Sequence, residues 1–210
     1  MRILGSYVDA IQGIIALNIF MFMFTLVLPN FTFTFFGLTP ALILTTPWTL
    51  ITSMFVHYGF THLLFNMLAL FFMGSYLEQI VGEHDFLKVY FLGGLIGSVA
   101  YVLTSLLFHI PPPYVVGVGA SGAIASVIGA LVVLRPRQIV YINFLFPMPL
   151  YVLGMLYIII SIQGMLFPFG NIAHNAHLGG LLAGMWLGSK LKRKIPHYYG
   201  YGFGGFGIRY

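Results

Sequence analysis

Six apolar runs constrain this chain more than any other feature. A bilayer core takes about 20 helical residues. Hydropathy and breakers place the runs at about Ile11–Leu28, Thr61–Ile80, Phe86–Phe108, Ala120–Leu134, Pro149–Leu166 and Asn171–Lys190. Only 6% of the 210 residues are charged, against roughly a quarter in soluble domains. The expected fold is therefore an all-α polytopic membrane protein, a compact bundle of six transmembrane helices. One membrane domain should fill residues 1–190, with a long first loop over 29–60, rich in Thr, Phe and Pro and without a clean helical period. A basic, Gly- and aromatic-rich cytoplasmic tail follows at 191–210. The first run is long enough to span and has only Arg2 before it, so it reads as a retained helix rather than a cleaved signal.

Charge placement tests this map. With six spans and the N-terminus inside, the inner segments hold Arg2, Lys88, Arg135, Arg137, Lys190, Lys192, Arg193, Lys194 and Arg209, which are all nine basic residues. Asp9, Glu78, Glu83 and Asp85 fall on the same side, and the outer loops carry no formal charge. The positive-inside rule then predicts a multi-pass protein of the cell membrane with both termini cytoplasmic. The net charge of +5 lies in loops and tail rather than on one face, which argues against a nucleic-acid partner. With no cysteine, the chain has no disulfide, thiolate nucleophile or Cys-based metal site.

The fourth run is too short. Some fifteen residues between "GVG" and "RPR" make roughly 22 Å of helix, against the ~30 Å hydrocarbon core. If Arg135 is pinned at the inner surface, this helix must start inside the membrane, and the segment "PPPYVVGVG" must dip to meet it. Such a dip is tolerated only where protein or a water-filled cavity satisfies its backbone. Ser121 falls on the first turn of the short helix.

Polar side chains predicted within the membrane are His57, His62, Asn66, Ser121, His174, Asn175 and His177, all on the outward half. Any one alone could be interhelical hydrogen-bond glue, worth about 1 kcal/mol. Several at one depth point instead to a site. The small residues argue for convergence. His177, Gly180, Gly184 and Gly188 form one stripe on the sixth helix, and Ser121, Ala125 and Gly129 form another on the fourth. Such stripes let membrane helices approach until backbones touch, which would bring Ser121 to His177. A serine hydroxyl needs a base to take its proton, and histidine suits neutral pH. The Ser121 backbone N–H at a helix start can face an oxyanion, and His62 and Asn66, four apart on one helix face, are further donors. No Asp or Glu falls on the outer half, so the pair would be a dyad.

Taken together, "HYGFTHLLFN" (57–66), "GASG" (119–122) and "AHLGGLLAG" (176–184) resemble the rhomboid family of intramembrane serine proteases over nearly the whole chain. The resemblance implies Ser121 as nucleophile, His177 as general base, and His62, Asn66 and the Ser121 N–H as the oxyanion hole. His57, Gly119, Gly122, Gly180 and Gly184 would support them, with no cofactor and no metal. It implies transmembrane proteins, single-span ones among them, as substrates, and a site opening to the outside. Two positions depart from the family's pattern. Thr49 follows Trp48 where an arginine is common, and Ala125 stands where an aromatic often packs on the histidine. Two alternatives belong to other classes: an inactive rhomboid-like chaperone that binds membrane clients, and an ion transporter using His57, His62, His174 and His177. The fifth helix and the "FGNIAHN" loop, with Gly154, Gly164, Pro168 and Gly170, are the expected movers.

Overall fold

The computed structural model describes residues 2–3, 6–7, 9–142, 145–167 and 172–193. The tail beyond 193, with Lys194 and Arg209, and the points Pro168 and Gly170 lie outside these. A short antiparallel pair, β1 (Arg2–Ile3) and β2 (Ser6–Tyr7), precedes α1 (Ala10–Val27). Asp9 caps α1, its Oδ1 accepting the Gln12 N–H at 2.7 Å. Pro29 then opens α2 (Pro29–Phe36) at a position where a missing N–H costs nothing.

The first loop is more ordered than its sequence indicates. A 3-10 turn (Pro40–Leu42), α3 (Thr49–Thr52) and a second 3-10 turn (Ser53–Phe55) follow α2. Each piece is too short to show a helical period. Trp48 anchors the segment by donating its Nε1–H to the Phe35 carbonyl at 2.8 Å.

The second predicted span is one continuous helical rod, Phe60–Val81. It consists of α4 (Phe60–Ala69), a π turn (Leu70–Gly74) and α5 (Ser75–Val81). Gly82 turns the chain with φ +80°, a conformation that favours glycine, into α6 (Glu83–Phe108). The short fourth helix is α7 (Ser121–Leu134), which begins at Ser121 itself. At 14 residues it is roughly 21 Å long.

Between α7 and α8 the expected plain loop is an antiparallel hairpin, β3 (Ile139–Ile142) with β4 (Phe146–Pro149). The β-branched and aromatic run "IVYI" is its local signal. The last helices are α8 (Leu150–Leu166) and α9 (His174–Lys192).

Among the described residues, three helical rods, α1, Phe60–Val81 and α6, are long and apolar enough to cross a membrane, while α7 and α8 are shorter apolar helices. At the centre is α7, with every residue from Ala123 to Leu131 buried. It packs against α9, α6, α8 and the π turn. Large apolar side chains also face outward, among them Phe20, Leu26, Leu107 and Ile159. A protein apolar on both its inside and its outside has hydrocarbon as its solvent.

Protein groups pair much of the backbone of the segment before α7, the kind of partner a dip into the membrane would need. Leu38 and Gly117 exchange both backbone hydrogen bonds, at 2.9 and 2.8 Å. The Gly119 N–H donates to the Ser53 carbonyl at 2.9 Å, and the Ala41 N–H to Pro113 at 2.9 Å. The Tyr58 and Tyr101 hydroxyls donate to the carbonyls of Val116 and Val115, at 2.6 and 3.1 Å. The ordered first loop is thus the scaffold of the segment that presents Ser121.

Candidate active site

The predicted small-residue stripes do bring α7 and α9 together. A Cβ on Gly180 would lie 2.1 Å from the Gly122 carbonyl oxygen, and one on Gly184 would lie 1.9 Å from that of Ser126. From the other side, a Cβ on Gly129 would lie 2.1 Å from the Leu181 oxygen. The face of α7 in backbone contact is therefore Gly122, Ser126, Gly129 and Ala130, rotated by one residue from the expected Ser121–Ala125–Gly129 line. The rotation has a use. It lets Ser126 turn toward α6, where its hydroxyl donates to the Val89 carbonyl at 2.9 Å and fills the notch at Gly93. Ser121 is left at the edge of the seam rather than inside it.

From that edge Ser121 Oγ lies 2.6 Å from His177 Nε2. This is hydrogen-bond contact between a hydroxyl and an imidazole, the geometry that proton transfer needs. The serine occupies the first position of α7, and α7 has no side-chain cap. The first in-helix donor is the Ile124 N–H, bonded to the Ala120 carbonyl. The N–H groups of Ser121, Gly122 and Ala123 precede it and have no acceptor within the helix. Backbone donors, with the positive end of the helix dipole, thus sit beside the hydroxyl.

His62, Asn66, Ser121, Tyr157, His174 and His177 all line one cavity of about 900 Å³. Gly119 is required there twice over. Its φ is +120°, and a Cβ would meet the His62 ring at 2.8 Å. Asn66 directs one Nδ2 hydrogen back to the His62 carbonyl at 2.8 Å, leaving the second amide hydrogen for the cavity. His57 is fully buried behind this layer, its ring edge-on to His62 at 4.9 Å between centroids. It packs against His62 rather than lining the cavity.

Two polar residues that the sequence groups with the site separate here. Asn175 ties α9 to its neighbours, donating to Thr104 Oγ1 and to the Ile110 carbonyl, so it is interhelical glue. His174 lines the cavity and stands 6.4 Å from the His177 ring. Sequence reasoning missed Tyr58 and Tyr157. Tyr58 stacks on Phe33 at 5.2 Å and flanks His62, and it sits inside the quoted motif, next to His57. Tyr157 packs on His177 with centroids 5.8 Å apart, and nothing in the local sequence of α8 marks it.

Comparison with known proteins gives the family. Residues 44–194 match the family model described as the Rhomboid domain. The chain is 36% identical over 148 residues to Rhomboid protease GluP of Bacillus subtilis (strain 168), covering 69% of this chain and 26% of that protein. It is 34% identical over 143 residues to RHOMBOID-like protein 12, mitochondrial, of Arabidopsis thaliana, covering 63% and 43%. To Presenilin-associated rhomboid-like protein, mitochondrial, of Homo sapiens it is 33% identical over 183 residues, covering 84% and 46%. The chain spans less than half the length of each of these relatives. The matched region takes in the whole cluster from His57 to His177, and the chain belongs to the rhomboid family.

Proposed function

We propose that this protein is an intramembrane serine protease that cleaves transmembrane proteins with a Ser121–His177 dyad. The 2.6 Å contact between Ser121 Oγ and His177 Nε2, at the uncapped start of α7, carries the reading. Ser121 Oγ attacks the scissile carbonyl carbon while its proton passes to His177 Nε2. The oxyanion takes hydrogen bonds from the Ser121 N–H and from the side chains of His62 and Asn66. Collapse of the tetrahedral adduct breaks the C–N bond, and His177 returns the proton to the leaving amine. Water, deprotonated by His177, then hydrolyses the acyl ester and restores the serine.

The same reading places six spans across the cell membrane, α1, Phe60–Val81, α6, α7, α8 and α9, with both termini on the cytoplasmic side. It opens the cavity toward the outer face. The one-sided distribution of the nine basic residues supports this orientation. A domain of residues 1–190 with a cytoplasmic tail follows from it.

The deciding experiment is labelling of the membrane-embedded protein with a fluorophosphonate, beside cleavage of a model single-span substrate. Wild type should be labelled and should cleave, and Ser121→Ala should do neither. Cleavage that persists in Ser121→Ala refutes the dyad. Client binding without turnover or labelling in the wild type would assign the chain to the inactive, client-holding class.

A further inference from the structure

Among the described residues, the His177 side chain makes one hydrogen bond, to Ser121 Oγ, and one hydrogen bond does not fix the plane of an imidazole. In Ser-His machinery a third group fixes the ring, commonly a carboxylate. The four acids of this chain are Asp9, Glu78, Glu83 and Asp85. They sit at the starts of α1 and α6 and within α5, whereas the site is built on α4 and the starts of α7 and α9, with Tyr157 of α8. Ala125, one turn beyond Ser121 on α7, is fully buried and ends at a methyl. Among the described residues, the tyrosine ring against His177 comes from α8: Tyr157, at 5.8 Å between centroids and 46° between planes.

That ring is seated by its own helix. Gly154, Tyr157, Ser161 and Gly164 are spaced three, four and three apart, so they share one face of α8. Gly154 lies against α7, where a Cβ would stand 2.9 Å from a Val132 methyl. Gly164 lies against α9, where a Cβ would stand 2.3 Å from the His174 ring. Ser161 between them is 2% exposed. Tyr157 thus lies between two glycine notches on the helix that carries its ring to His177.

Building on the protease reading, we propose that Tyr157 is the positioning residue for His177, and that docking of α8 through the Gly154 and Gly164 notches sets the orientation of the base. His174 then acts as the α9 half of the seat, a role distinct from proton transfer. The ring, rather than the hydroxyl, is the working part.

The test compares Tyr157→Phe, Tyr157→Met and Tyr157→Leu in the full chain, by fluorophosphonate labelling rate and by kcat and KM on a transmembrane substrate. Met and Leu fill the space without a ring. Both should lower kcat and labelling roughly 10- to 100-fold with KM changed less than about threefold, as misplacement of a reacting group does. Phe should restore both to within about threefold of wild type. Gly164→Ala should lower kcat in the same way, and combining it with Tyr157→Met should add little, because both act on one contact. Thermal unfolding of each variant separates loss of fold from loss of orientation. Wild-type rates in folded Met and Leu variants overturn the inference, as does a Phe variant as slow as Met. A wild type that is never labelled would instead refute the protease reading itself.

Discussion

Two walls of one cavity are built differently. Where α7 meets α9, carbonyl oxygens lie where glycine side chains would be, and the helices pack backbone to backbone from Gly122–Gly180 to Ala130–Gly188. Along α8 only Leu150, Gly154, Ser161 and Gly164 are buried, and Met155, Ile159 and Ile160 face outward. The first wall sets the distance between Ser121 and His177 and has no slack. The second meets the cavity through Tyr157, Gly164 and Met165, with Gly154 seated on Val132 of α7. Packing contacts without slack resist displacement, and sparse ones yield. A substrate segment should therefore enter past α8 and leave the α7–α9 seam undisturbed.

The sharpest way to break this contrast is at the two histidines of α9. His177→Ala should cost roughly 10⁴-fold in kcat, the scale expected when a member of a Ser-His pair is lost. His174→Ala should cost far less, about tenfold, because it only loosens the α8 seat. Equal losses in substrate cleavage assays would erase the distinction between the walls. Next in size, Gly184→Ala forces a methyl to 1.9 Å from the Ser126 oxygen. It should destabilise the fold by about 3 kcal/mol, the upper range for overpacking, measured by denaturant or thermal unfolding in detergent. A well-folded, active Gly184→Ala would show that the seam has slack after all.

Within the cavity, Asn66→Ala should lower kcat by about 10²-fold with KM nearly unchanged, as loss of one oxyanion donor does. A KM effect alone would assign Asn66 to substrate binding. The smallest effect lies far from both walls. Gly13 in α1 has nothing within 4 Å of a built Cβ, so Gly13→Ala should stabilise the helix by up to about 1 kcal/mol. It should leave cleavage unaltered, and the contrast with Gly184→Ala separates packing glycines from incidental ones.

Much of the site was legible because it is written in one-dimensional signals. Ser121 stands between Gly119 and Gly122 at the head of a short apolar helix, and His177 heads a run of glycines at helical spacing. His62 and Asn66 are four apart, so one helix face presents both. The rotation of α7 by one residue was not legible, because either row, Ser121–Ala125–Gly129 or Gly122–Ser126–Gly129, is small enough to pack. What decides between them is the third neighbour, α6, whose Gly93 accepts Ser126. The order in the first loop was hidden for a different reason. Its helices are four to eight residues long and are held by hydrogen bonds to distant segments, such as Leu38 to Gly117.

By itself the sequence determined the solvent, the apolar runs, and which few polar groups had to find one another. Those are properties of single residues and of helical spacing, and they hold whatever the neighbours do. Only the tertiary structure decided which glycine meets which carbonyl, that Asn175 is spent on Thr104 and Ile110, and that the ring beside His177 comes from Tyr157, 36 positions from Ser121 in the chain. Contacts between helices depend on rotation and depth, and the hydrophobic pattern along a helix buried in hydrocarbon is uniform enough to leave both open.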